Sequence, residues 1–299
     1  MYRIDSLACI GWVSLTVSDL ERSLDFYTKL LGMRRVCEVS DGGVGLGVED
    51  DDPLVILYEQ RGARPKPPNT RGLYHYAILL PSRRDLARVF IRLTHNWDFE
   101  GFADHIVSEA LYLKDPDGHG IELYADKPAE KWRYNKLNEI EMATLPLDID
   151  DLLKEARGEV RDILSKDWEM PRGTKIGHIH LQVSSLKKAE QFYHIILGFD
   201  ITMRRYPGAL FMSAGGYHHH IGANIWAGVN APPPPSGCVQ LKSFSIKLSS
   251  TEQLNLVSGR LRTHDYEFKD YPIHRINNYV GIATRDLDGN AVEIVARTV

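Results

Sequence analysis

The sequence predicts an α+β protein assembled from four βαβββ modules, and three observations predict it. The chain repeats itself: GWVSLTVSDLERSLDFYTKLLGM (residues 11–33) aligns with GHIHLQVSSLKKAEQFYHIILGF (177–199) without a gap. DPDGHGIELYA (115–125) aligns in the same way with DLDGNAVEIVA (286–296), so the period is close to half the chain. Each half also holds two strand starts, at Gly11 and Leu73 and at Gly177 and Leu241, separated by proline-rich loops, PKPP at 65–68 and PPPP at 232–235.

Along each long repeat, an alternating stretch reads as a strand, a polar residue as a cap, and a spaced apolar stripe ending in Leu-Gly as an amphipathic helix. The two DxDG segments read as tight turns that open onto a closing strand. Residues 126–175 stand outside this scheme. There, DIDDLLKEARGEVRDILSKD places Ile149, Leu152, Leu153, Ala156, Val160, Ile163 and Leu164 on one helical face, which predicts an interdomain helix capped near Asp148 or Asp150. The expected organisation is two modules in 1–127, a helical linker over 128–172 and two modules in 173–299.

A chain of 299 residues is long for one domain and comfortable for two. Its 43% apolar and 25% charged residues are those of an ordinary globular protein. Cys9, Cys37 and Cys238 are odd in number, with no CxxC pair, so neither a disulfide framework nor a zinc ribbon is expected and a reducing, cytoplasmic location fits. No signal-like N-terminus or membrane-length apolar run is present, and a net charge of -4 offers no basic face for nucleic acid. A homo-oligomer is the expected assembly, with its number of subunits left open.

The chemistry-bearing stretch is DHIVSEALYLKDPDGHGIE (104–122), which spaces His105, Tyr112 and Glu122 along one module. With DLERSLDFYTKLLG as helix and DPDGHGIELY as last turn and strand, the module pattern resembles the vicinal oxygen chelate superfamily. Paired βαβββ modules of that superfamily each form half of an open barrel around a divalent metal. The resemblance covers nearly the whole chain apart from the linker, and implies fold more than function. His105, Leu111, Tyr112, Asp115, Pro116, Gly118 and Glu122 further resemble the signature of extradiol ring-cleavage dioxygenases, with Ala103 as a small departure just before it. The plainer alternative is a simple turn followed by a cleft acid.

That resemblance implies two histidines and a carboxylate on Fe(II), with Mn(II) as a substitute, leaving positions open for a bidentate diol and O₂. In the family arrangement the first histidine begins one module, the second begins its partner, and the glutamate ends that partner. His75 and Glu122 take two of these places, but Trp12 holds the third and cannot ligate. In the second half His178 aligns with Trp12, His219 of YHHH aligns with the family's acid–base histidine, and Ser243 replaces the second histidine, although His274 and Glu293 remain. Pairing modules two and three gives His75, Glu122 and His178 as ligands, with His219, Tyr112 and His105 around them. Pairing modules sequentially gives His178, His219 and Glu293. The first set is the expectation and the second stays open, while modules one and four, with Trp12, Ser243 and Glu293, are expected to hold no metal.

Other assignments are smaller. Residues 218–220 read as an alternating strand, so at most two of the three histidines face one way. His180 shares a face with His178 and reads as a second-layer or cleft-lining residue, Tyr112 could equally be core, and His119 reads as exposed and inert. The expected activity is Fe(II)-dependent extradiol cleavage of catechol or a substituted catechol by O₂, with His219 moving the proton and Tyr112 and His105 orienting the diol. The alternatives are a non-redox glyoxalase-like metalloenzyme and a metal-free small-molecule binding protein of the same fold.

Overall fold

The computed structural model describes residues 2–49, 52–270, 276 and 278–298; His274 lies outside them. Module one runs β1 (Cys9–Val17), α1 (Leu20–Leu24), β2 (Arg34–Glu38), β3 (Val44–Gly47) and β4 (Val55–Glu59). Module two runs β5 (Gly72–Leu79), α2 (Arg83–Thr94), β6 (Phe99–Asp104), β7 (Ser108–Lys114) and β8 (Gly120–Asp126). After two short helices, α3 (Ile149–Lys154) and α4 (Val160–Ile163), module three runs β9 (Lys175–Gln182), α5 (Leu186–Ala189), β10 (Asp200–Met203), β11 (Ala209–Ser213) and β12 (Ile221–Asn224). Module four runs β13 (Leu241–Leu248), α6 (Thr251–Thr263), β14 (Phe268–Asp270), β15 (Tyr279–Arg285) and β16 (Ala291–Arg297). The predicted βαβββ order holds in all four.

Caps start the helices where the polar residues suggested. Asp19 Oδ1 accepts from Arg22 N at 3.0 Å and Ser82 Oγ from Asp85 N at 3.1 Å. Both α1 and α5 then widen into π-helical turns, Asp25–Leu30 and Glu190–Ile196, before ending at Gly32 and Gly198. At Gly32 the backbone is left-handed (φ +78°), and a Cβ there would lie 2.7 Å from Trp168 and from the Met170 backbone, so only glycine fits.

The single linker helix expected over residues 148–167 is corrected to two. Gly158, at φ +89°, interrupts the hydrogen-bond ladder between α3 and α4. As a result Leu152, Ala156 and Ile163 are buried, whereas Val160 and Leu164 face solvent.

The strands form two open eight-stranded sheets, ordered β14-β15-β16-β13-β1-β4-β3-β2 and β10-β11-β12-β9-β5-β8-β7-β6. Each sheet therefore takes one module from each half of the sequence, joined antiparallel through β1·β13 or β5·β9. Consecutive modules are fastened differently, by the DxDG turns. Asp117 accepts from Ser18 N (3.0 Å), Ser18 Oγ (2.6 Å) and Arg22 (2.7 Å), while Asp288 accepts from Ser184 N (2.9 Å) and Ser184 Oγ (2.5 Å).

One large apolar core fills the helix-covered faces. The opposite faces differ. In the sheet of modules one and four that face is packed by Trp12, Ile56, Tyr58, Tyr279 and Val295. In the sheet of modules two and three it carries His75, Glu122 and His178 and opens into a cavity of about 800 Å³.

Candidate metal centre and active site

Three adjacent strands bring the triad together. Ala77 on β5 pairs with Glu122 on β8 and with His178 on β9, and His75 sits two residues earlier on the same face of β5. The small Ala77 side chain leaves the space between its two neighbours open. His75 Nε2 and His178 Nε2 lie 3.1 and 3.2 Å from the same Glu122 Oε2, and the three candidate ligand atoms are all within 4.8 Å of one another. All three side chains are buried, and among the described residues no other group of His, Cys, Asp or Glu converges in this way.

The donor set fits a divalent ion. Two ligands each about 2.1 Å from one ion and at right angles stand about 3 Å apart, close to the observed separations. His75 Nε2 is buried without a properly directed hydrogen bond despite its closeness to Glu122, as expected of an atom aimed at a shared point rather than at its neighbour. Burial alone would raise the Glu122 carboxyl, but His178 and His75 outweigh it and hold it well below the ordinary range. Burial also pushes His178 down to about 4, against the opposing pull of Glu122. A carboxylate and a neutral imidazole are the forms that metal ligation needs.

Tyr112 and His105 form a hydrogen-bonded pair beside the triad. His105 Nδ1 donates to Ala143 O at 2.7 Å, which leaves Nε2 to accept the Tyr112 hydroxyl proton at 2.5 Å. Ala143 belongs to the segment after module two, which lines the cavity through Met142 and Thr144 and is tied there by a 2.7 Å hydroxyl contact between Thr144 and Tyr206. Tyr112 lies on β7 opposite Glu122 and lines the cavity as well as touching the small cluster of Ala77, Ala110 and Tyr124.

His219 is reached through a chain that spacing did not reveal. His218 Nε2 donates to Asp126 Oδ1 at 3.0 Å, which leaves its Nδ1 to accept from His219 Nδ1 at 2.7 Å. The lone pair of His219 is thereby placed on Nε2, and the ring packs 4.1 Å from that of His178. Asp126 also accepts from the Tyr217 hydroxyl at 2.9 Å. Asp126 follows Glu122 by four residues on β8, so strand alternation puts it on the same face; that was the available signal.

Several expectations are corrected. Residues 218–220 lie in the connection before β12, not on an alternating strand, and all three histidines are buried. His220 bonds to Ser213 Oγ at 3.0 Å. Burial, with His178 and His218 beside it, holds His219 well below the ordinary histidine range. His119 is buried, with Nε2 donating to Thr16 O at 2.9 Å. The set His178, His219 and Glu293 is not assembled, because Glu293 lies in the other sheet and accepts from Trp12 Nε1 (2.9 Å) and Ser243 Oγ (2.6 Å). His180 faces the cavity with its ring 5.0 Å from that of His75, and among the described residues its buried Nε2 has no hydrogen-bond partner.

The sequence profile of the Glyoxalase/Bleomycin resistance protein/Dioxygenase superfamily matches residues 9–123 and 175–294. The chain belongs to that superfamily. It is 45% identical over 264 residues to a catechol-2,3-dioxygenase of Bacillus subtilis (strain 168), covering 87% of this chain and 90% of that one. Among solved structures, a putative dioxygenase from Bacillus subtilis subsp. subtilis str. 168 superposes with a TM-score of 0.69 at 14% identity, over 100% of this chain and 87% of that one. Glyoxalase I from Zea mays superposes with a TM-score of 0.56 at 16% identity, over 97% and 92%. At those identities the two structures speak to the fold alone, whereas the first relative identifies this superfamily member as a dioxygenase homologue.

Proposed function

We propose that this protein is an Fe(II)-dependent extradiol dioxygenase that opens the ring of catechol or a substituted catechol with O₂. The convergence of His75, Glu122 and His178 on the floor of an 800 Å³ cavity carries this reading, together with the dioxygenase relative. Two imidazoles and one carboxylate suit Fe(II), or Mn(II) in its place, and such an ion would supply the Lewis-acid and redox chemistry for a bound diol and O₂.

The chain's own groups then divide the work. His75, Glu122 and His178 would hold the ion. The His219 Nε2 lone pair, oriented by His218 and Asp126, takes the phenolic proton and returns it later in the reaction. Tyr112, whose proton is committed to His105, presents its oxygen to the substrate hydroxyl, and His105 stabilises charge that develops there. Tyr74, Phe211 and Trp226 give the cavity an aromatic wall against which the ring of the diol would pack.

The decisive experiment measures metal content after anaerobic reconstitution with Fe(II), alongside a ring-cleavage assay that follows the coloured product of catechol. About one iron per chain and cleavage next to the two hydroxyls are expected. Retention of iron in His75→Ala or Glu122→Ala, or its loss in Glu293→Ala, would overturn the assignment.

A further inference from the structure

Beyond these groups the cavity continues along β9. His178, His180 and Gln182 alternate onto its lining, while Ile179 and Leu181 between them are buried in the core. Gln182 lies opposite Gly72, three residues from His75, and four residues from His178, roughly 13 Å along an extended strand. Lys66 enters the cavity at this end from the proline-rich loop. Its Nζ donates to Thr70 O and to Gln182 Oε1, both at 2.8 Å. An ammonium has three protons, so one is left without an acceptor, and among the described residues no carboxylate pairs with it.

The other charged groups in the lining are matched, Lys114 by Glu100 at 2.5 Å and Asp117 by Arg22 at 2.7 Å. Burial pushes the Lys66 ammonium down to about 8, so it is charged at neutral pH at a desolvation cost that a bound anion would offset. Between the triad and Lys66 the wall is aromatic, with Tyr74 5.1 and 5.3 Å from the His75 and His180 rings and Trp226 5.4 Å from His180. The cavity volume is in the range that encloses drug-sized ligands, far larger than a bare diol needs.

We propose that Lys66, seated between Gln182 and the Thr70 carbonyl, binds the carboxylate end of a side chain carried by the diol substrate. The inference rests on the ring-cleavage reading and narrows it to catechols with a short, acid-terminated chain. An aromatic ring spans less than the roughly 13 Å of strand between His178 and Gln182, the residue that holds Lys66, and a chain of a few bonds makes up the difference.

The test compares 3-(3,4-dihydroxyphenyl)propionate with its neutral amide. In the iron-loaded protein the acid is preferred in kcat/KM by roughly 10- to 100-fold, as expected of one charge-assisted hydrogen bond. In Lys66→Met, and in Gln182→Glu, which gives the lysine an internal carboxylate partner, the ratio falls towards one. Because the ratio is taken within each variant, a general loss of turnover cancels, and thermal unfolding verifies that each is folded. Calorimetry on the metal-free protein gives a second readout: the acid binds more tightly than the amide to the unaltered protein, and equally to Lys66→Met. If catechol is cleaved but acid and amide are treated alike, or both variants keep the preference, the subsite is overturned while the ring-cleavage reading stands. If no diol is cleaved, that reading fails, and the calorimetric comparison alone sustains or overturns the anion site.

Discussion

His219 shows how one side chain gains a defined role from its neighbours. Its Nδ1 proton is committed to His218, which is itself held by Asp126, so the base is Nε2. His219→Gln is expected to retain iron and to slow turnover by roughly 10²- to 10⁴-fold, the usual contribution of a general acid–base group; loss of iron instead would make His219 a ligand. His218→Phe removes the acceptor without touching substrate, and a fall of roughly 10- to 100-fold is expected with metal content unchanged. Single-turnover kinetics and metal analysis of the two variants separate proton transfer from ligation.

At the scale of elements, the site depends on strands that approach more closely than most side chains allow. A Cβ on Gly120, two residues before Glu122, would lie 2.2 Å from Tyr74 O and 3.2 Å from the Cβ of His75. This first residue of β8 thus sets the distance between β8 and β5, and with it the distance between two of the proposed ligands. Gly120→Ala is expected to cost roughly 1–3 kcal/mol through overpacking, read as a lower unfolding temperature, and to weaken iron retention by spreading His75 from Glu122. A variant with unchanged melting and full iron would show that β5 and β8 can shift independently of the site.

For the whole molecule, the joint between modules one and four is partly electrostatic. Asp52, from the loop before β4, accepts from Lys247 Nζ on β13 at 2.5 Å and from the Tyr279 hydroxyl on β15 at 2.7 Å. Burial raises its pKa, but the hydrogen bonds from Lys247 and Tyr279 outweigh that and hold it below the ordinary value. A carboxyl lowered on folding adds stability that is present above its unfolded pKa and lost as pH falls through the folded one. Asp52→Asn should therefore lower the melting temperature at pH 6–7, and the deficit should shrink as pH falls below the ordinary aspartate value and through the lowered folded one, where the native carboxyl is protonated too. A deficit that stays equal across that range would show that the contact acts through packing alone.

The gapless repeats, the Leu-Gly helix ends and the DxDG turns are local features, and from them the sequence by itself determined four βαβββ modules and the strands that carry His75, Glu122 and His178. Local patterns repeat in every module, so they could not say which modules hydrogen-bond to each other, and two candidate residue sets stayed open. The sheet order decided it, because β5 lies beside β9 and leaves Glu293 in the other sheet with Trp12 and Ser243. The break at Gly158 was equally hidden, since an apolar face continues across it in sequence while the left-handed backbone stops the hydrogen-bond ladder. The pairing of Asp126 with His218, the burial of His119 and the position of Lys66 beside Gln182 all join residues distant in sequence. Alternation along β8 could place Asp126 on the face of Glu122, but the partners in such contacts leave no spacing signal along the chain, and only the tertiary structure could supply them.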